Sequence, residues 1–406
     1  MDPITHGLAG ALLGKAFFAG GARSEKTVAA DSSRHGEAGA AKQARRMAVG
    51  AVTLGALFPD ADIVFNLFTN DNVALLELHR GFTHSFVCLP LFAMVLAWAT
   101  RALAGWRGWA APSWMQLTMM WGAGIGLHIL MDLITSYGTM IWSPISNYRA
   151  ALDMNFILDF VMTGIALAPQ LAAWTHRRRE GRMARAMASW TIISLGALGV
   201  EWLARTSGYP FTPWAVVAAS GVAAAMLFLP MRADQNSRWR GPAARARWCR
   251  AGVAVFAAYL LMCAGAQLTA RWRVEAAASA QGLRVERLAA VPLPPSLLVW
   301  GALVRTPDGV YRGLFDLRGR GPIELEFIAD SPANEHIERA RALRSTQVYL
   351  WFARFPGVRY HQENGRHVVE FTDYRFAPRS GSQRTAFTFR VVLDSSGAVV
   401  EEGWAN

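Results

Sequence analysis

Eight apolar runs, separated by loops of alternating arginine content, constrain this chain more than any other feature. The runs cover residues 4–19, 47–69, 84–104, 114–136, 154–175, 187–204, 213–230 and 251–272. A helix needs about 20 apolar residues to cross the hydrocarbon of a bilayer, and about 17 at the short end, so 4–19 and 187–204 are the marginal ones. Four loops are rich in Lys and Arg: 20–46 (Arg23, Lys26, Arg34, Lys42, Arg45, Arg46), 105–113 (Arg107, just after Arg101), 176–186 (Arg177, Arg178, Arg179, Arg182, Arg185) and 231–250 (Arg232, Arg238, Arg240, Arg245, Arg247, Arg250). They alternate with three loops that carry one arginine each, Arg80, Arg149 and Arg205. Basic residues in short loops mark the cytoplasmic side. The alternation therefore predicts a mostly α polytopic membrane protein of about eight helices, with both ends outside.

Composition agrees. Only 17% of residues are charged, against about a quarter in ordinary soluble domains, and 16 tryptophans suit a protein with membrane interfaces to anchor. The net charge of +12 does not argue for nucleic acid, because the arginines sit between apolar runs rather than along one face. Cys88, Cys249 and Cys263 have no paired spacing and predict neither a disulfide framework nor a thiolate metal site. The start Met1-Asp2-Pro3 lacks the basic region of a cleavable signal peptide, so the apolar spans are expected to do the targeting. The 20–46 segment reads as flexible.

Residues 1–272 thus form a transmembrane helical domain, and 273–406 change character. The latter hold short alternating runs (Val299–Leu303, His367–Phe371, Phe387–Leu393) and one helical stretch near Asn334–Phe355. This predicts a soluble α+β domain, which the topology places outside the cytoplasm.

Ionisable residues at membrane depth are costly and mark function by default. In the predicted topology His6, Asp60, Asp62, His79, His84, His128 and Asp132 all fall toward the outer ends of their spans. His79 and His84 are five apart where a polar loop meets an apolar run, and His128 and Asp132 are four apart, on one helix face. Pro59 breaks the second run, freeing Asp60 and Asp62 to approach an ion. Imidazoles with carboxylates and no thiolate favour Zn2+, with Mn2+ or Fe2+ as alternatives. Asp62 could instead orient a histidine, and His6 could cap the first helix. After the fourth span, Ser136, Tyr137 and Thr139 offer hydroxyls for a substrate, and Arg149 could pair with an acid or hold a phosphate. Asp153 and Asp159 frame the fifth span. His35, His176, His336, His361 and His367 lie in polar sequence and read as surface residues.

The set Met1-Asp2-Pro3-Ile4-Thr5-His6-Gly7, Phe58-Pro59-Asp60-Ala61-Asp62, His79-Arg80-Gly81-Phe82-Thr83-His84-Ser85 and His128–Thr139 resembles the YdjM-like (DUF457) family. These are bacterial inner-membrane proteins described as metal-dependent hydrolases. The motifs cover residues 1 to about 160, and Arg341–Pro356 looks like the longer members. More distantly, the His/Asp set is similar to that of zinc-dependent phospholipase C and the P1-type nucleases, which implies zinc and phosphoester hydrolysis by analogy. The expected function is metal-assisted hydrolysis of a lipid or lipid-linked ester at the outer face of the inner membrane, with Asp60 or Asp62 accepting the proton of the attacking water. The rival readings are a metal- or proton-coupled transporter, and a membrane scaffold with a structural metal whose outer domain binds a protein partner.

Overall fold

The computed structural model describes residues 1–18, 34–68, 71, 73–206, 213–232, 244–294, 296–377 and 387–405. Residues 20–33 of the segment expected to be flexible, with Arg23 and Lys26, lie outside that set, as do Arg238, Arg240 and the His35 side chain. From Arg34 onward the same segment is helical.

The described residues are mostly helical, with a C-terminal β-sheet domain. In chain order the helices are α1 (Pro3–Leu13, continued as a π-helical turn Gly14–Phe18), α2 (Arg34–Gly55), a 3-10 helix (Phe58–Phe68), α3 (Ala74–Leu78), a short 3-10 turn (Phe82–His84), α4 (Leu89–Trp106), α5 (Trp114–Leu133), α6 (Phe160–Thr175), α7 (Arg182–Thr206), α8 (Trp214–Arg232) and α9 (Ala244–Ala280). Among them α4, α7, α8 and α9 are long and apolar enough to cross a membrane. A fifth candidate is the pair Gly39–Gly55 and Phe58–Val64, bent by 51° at the break before Pro59. The eight expected spans are therefore not all of this kind. α5 has the length but carries Gln116, His128 and Asp132, while α1 and α6 are short.

The chain divides into two compact units. The first comprises Met1–Pro59, Thr83–Asp132 and Leu158–Leu261. Its centre is a layer of small residues: Ala44, Ala48, Ala51 and Val52 of α2 pack with Ala93 and Ala97 of α4 and with Leu117, Met120 and Trp121 of α5. Small side chains let helix backbones approach where lipid offers no hydrophobic drive. The approach is closest at Gly55 and Gly124. A Cβ on Gly55 would lie 2.8 Å from the Trp121 carbonyl, and one on Gly124 would collide with the Val52 carbonyl.

The second unit comprises Asp60–Phe82, Leu133–Ile157 and Met262–Asn406. It contains two antiparallel four-stranded sheets. One is β1 (Arg287–Leu293), β2 (Val299–Thr306), β3 (Gly309–Asp316) and β4 (Glu326–Ala329); the other is β5 (Pro356–Glu363), β6 (Arg366–Asp373), β7 (Thr388–Leu393) and β8 (Val399–Trp404), each in sequential order. Between the sheets in sequence come α10 (Glu335–Ala342) and α11 (Arg344–Phe352), dividing the one helical stretch expected there. The end of α9 packs on the first sheet through Ala270, Val274 and Ala278 against Trp300 and Val304. A second core joins Val348, Tyr349 and Phe352 of α11 to Phe371, Phe389 and Val391 of the second sheet. The same core takes in Val73, Leu76 and Tyr137, so the segments 60–82 and 133–157 fold as part of this unit.

The glycine crossing yields a test. Gly124→Ala should lower the thermal stability of the detergent-solubilised protein, since overpacking costs about 1–3 kcal/mol. Gly122→Ala, whose Cβ would meet Ala93 at an ordinary 3.6 Å, should leave it nearly unchanged. Equal melting temperatures for the two variants would refute the close crossing.

Candidate metal centre

α1 is built to present His6. Asp2 caps it, accepting from the Thr5 amide at 2.9 Å and the Thr5 hydroxyl at 2.7 Å, and Pro3 occupies the first turn, where its missing N–H costs nothing. The cap is therefore Asp2 rather than His6. The His6 ring is fully buried, stacks on His128 with centroids 3.7 Å apart, and places Nε2 3.3 Å from Asp132 Oδ1. The Met1 amino group also contacts Asp132 Oδ1.

His128 and Asp132 project from the last two turns of α5, one above the other. His128 Nδ1 donates to the Ala56 carbonyl at 2.7 Å. A carbonyl only accepts, so Nδ1 carries a proton, and in the neutral form of the ring Nε2 is the lone pair. The close passage of Gly55 past α5 is what brings Ala56 within reach. His84 arrives on the 3-10 turn before α4, with its Nδ1 3.0 Å from the Thr83 hydroxyl.

These side chains converge. His84 Nε2 and His128 Nε2 are 3.0 Å apart, and Asp132 Oδ2 lies 3.3 Å from the first and 3.6 Å from the second. Ligand atoms about 2.0–2.2 Å from one tetrahedral ion stand about 3.3–3.6 Å apart; the two edges to Asp132 match that spacing and the edge between the imidazoles is a little shorter, so the triangle is of the size that suits a single cation. All three residues are fully buried. Asp60, half-buried and one peptide bond beyond Pro59, completes the set: one ligand atom from each of Asp60, His84, His128 and Asp132 lies within 4.8 Å of the others. This Asp/His/His/Asp group can hold a metal ion.

The other expected residues divide by position. Asp62 bonds His79 Nδ1 at 2.9 Å and accepts from the Arg80 amide at 3.2 Å, contacts that suit the histidine-orienting alternative; it is not one of the four residues of the group above. Arg80 adopts a left-handed φ of 61°, directs NH1 to the Thr135 hydroxyl at 3.0 Å and lies over the Tyr137 ring. Tyr137 is 9% exposed and packs among Phe352, Phe376 and Phe387. The Ser136 Oγ, Thr139 Oγ1 and Arg149 Nε atoms are buried without a hydrogen-bond partner among the described residues. The terminal nitrogens of Arg149 donate to the Gly138, Leu76 and His79 carbonyls at 2.6–3.0 Å. Burial draws its pKa down to about 10, leaving it charged at neutral pH.

The YdjM inner membrane protein family model matches residues 1–207. The chain belongs to that family. The match and the apolar helices together make it an inner-membrane protein. No curated protein and no solved structure matches the chain. The match spans every residue of the Asp/His/His/Asp group in this YdjM family member.

Sequence reasoning misplaced one histidine and could not give the partners of other residues. His176, expected at the surface, is fully buried at the end of α6 and stacks on Trp248. His336 and His367, expected at the surface, are part-exposed and stack on each other at 3.7 Å, and Tyr360 bonds the second. Asp159 caps α6 and accepts from the Tyr259 hydroxyl at 2.7 Å. Nothing in linear sequence signals the Ala56 carbonyl, since backbone groups carry no motif.

His84→Ala, His128→Ala and Asp132→Asn should each lower the metal content of the purified protein, read by elemental analysis, while insertion persists. Removing an imidazole makes a span more apolar. A ligand change should cost more than the about 10- to 100-fold of a residue acting behind the ligands. Full metal content in all three variants would place the ion elsewhere.

Proposed function

We propose that this protein is a membrane-embedded metal-dependent hydrolase acting on a phosphoester or other ester of a lipid or lipid-linked substrate at the outer face of the inner membrane. The observation that carries the reading is the buried triangle of His84 Nε2, His128 Nε2 and Asp132 Oδ2 with Asp60 beside it. Two imidazoles and carboxylates without thiolate suit Zn2+ best, with Mn2+ or Fe2+ as alternatives. A divalent ion held there would supply Lewis acidity and bring the pKa of a coordinated water toward neutrality.

The protein's own residues do the rest. The His128–Ala56 bond fixes the tautomer that presents Nε2. Asp132 supplies negative charge in a low-dielectric place, where it offsets a cation strongly. Asp60, where it does not ligate the ion, is the first candidate to accept the proton of an attacking water. Asp62 acts through His79, whose Nδ1 it holds, and that imidazole serves proton transfer. The Ser136 and Thr139 hydroxyls, with no hydrogen-bond partner among the described residues, are donors for a substrate oxygen. Arg149 supports this loop through its carbonyl bonds.

Two measurements test the reading. The protein reconstituted in phospholipid vesicles should release a water-soluble headgroup or phosphate in a chelator-sensitive manner. His79→Ala and Asp62→Asn should keep the metal yet lose at least about 100-fold in rate. Metal binding without hydrolysis of any ester or phosphoester lipid offered would leave a structural metal and end the hydrolase reading. The outer placement rests on the arginine alternation. A reporter enzyme active only outside the cytoplasm, fused after residue 406, should be active; an inactive, cytoplasmic reporter would sink the outward assignment.

A further inference from the structure

We propose that the C-terminal β-sheet domain clamps the Leu133–Ile157 loop and through it fixes the last turn of α5, with Arg354 and Arg375 as positioning residues for Asp132. The chain of contacts begins at the helix end. The final carbonyls of α5 would lack partners. Here the returning loop supplies the last of them and the one just beyond: Leu152 N donates to the Leu133 carbonyl, and Met154 N and Asn155 N donate to the carbonyl of Ile134, the residue after the helix, at 2.8–3.1 Å. Asp132 is the residue immediately before Leu133, so the turn that aims its carboxylate is held by backbone bonds from Leu152–Asn155.

That loop is in turn held by two arginines of the β-sheet domain. Arg354, just past α11, forms a two-pronged ion pair with Asp153 at 2.8 and 2.9 Å. Asp153 adopts a left-handed φ of 51°, a conformation that persists only where surroundings enforce it. Arg375 is buried, and its NH1 donates to the Ser136 and Tyr137 carbonyls at 2.9 and 3.2 Å. Its Nε and NH2 are fixed by Asp373 and the Phe352 carbonyl at 2.7 and 2.8 Å. Asp373 also accepts from the Arg354 and Phe355 amides, so one buried carboxylate orders both arginines. The Tyr137 ring, seated in the α11 core, closes the grip.

A third contact reaches the other approach to the site. Arg344, at the start of α11, pairs with Asp71 at 2.8 Å and with Glu77, on the segment leading to His79. The Asp71 carboxyl is held below its ordinary range by the Val73 amide first and by Arg344 second. Arg344 is exposed, so this contact is the weaker one; the buried Arg375 and the part-buried Arg354–Asp153 pair carry the proposal.

The test uses the full-length protein in detergent, with hydrogen–deuterium exchange and Co2+ absorption as readouts. Arg354→Ala and Arg375→Lys should each speed amide exchange in residues 133–157 at least about 10-fold, while the β6 and β7 amides stay protected. Each should also weaken Co2+ binding about 10-fold and alter its visible spectrum, as expected for residues acting behind a ligand. The charge-exchanged pair Asp153→Arg with Arg354→Asp should recover part of both. A loosened loop with unchanged Co2+ affinity and spectrum would confine the domain to stability. Unchanged exchange in both single variants would overturn the clamp. The Co2+ arm rests on the reading of Asp132 as a ligand. If the unsubstituted protein binds no Co2+, that reading fails while exchange still decides the clamp.

Discussion

A carboxylate buried among apolar helices is the constraint on which the first unit turns. Asp132 is fully buried near the end of α5, where an uncompensated charge costs several kcal/mol. Everything packed around it answers that cost. α1 starts with a self-capped turn that brings His6 alongside, the short 3-10 turn before α4 delivers His84, and one helical turn back α5 itself supplies His128. Three imidazoles meet the acid, alongside the Met1 amino group. A histidine can remain neutral and offer a lone pair, so the same arrangement that tolerates the charge also makes a donor set for a cation.

The second unit shows how discontinuous chain segments become one structure. Residues 60–82 and 133–157 belong with the β-rich C-terminal part because their apolar side chains, Val73, Leu76 and Tyr137, complete the core under α11. Buried arginines here serve backbone carbonyls as much as carboxylates. Arg149 and Arg375 each gather carbonyls from separate segments, a use that the five-donor guanidinium fork permits and a lysine ammonium does not reproduce.

The sequence made the residue types of the site legible. His84, His128, Asp132 and Asp60 stood out because charges and imidazoles are conspicuous in apolar runs, and Pro59 announced the break that sets Asp60 off from α2. The strands at Val299–Leu303, His367–Phe371 and Phe387–Leu393 were visible through their alternation, and each lies within, or overlaps nearly all of, a strand. What stayed hidden was relational. Asp62 and His79 looked like two more ligands, and the 2.9 Å bond between them was not legible from their spacing. His176 sat in polar sequence yet is buried, because the neighbouring chain that covers it comes from Trp248, far along the sequence. The hydropathy of α5 misled in the opposite sense: the polar residues that give it chemistry also remove it from the plainly apolar helices.

The bend before Pro59 has a consequence for proton placement. In an unbroken helix the Ala56 oxygen would be consumed by the amide four residues on. Because α2 stops at Gly55 and the chain tightens into a 3-10 helix, that oxygen points across to an imidazole instead. A fault in one helix ladder thereby decides which nitrogen of a residue on another helix carries hydrogen. The tautomer of His128 is thus written into backbone geometry.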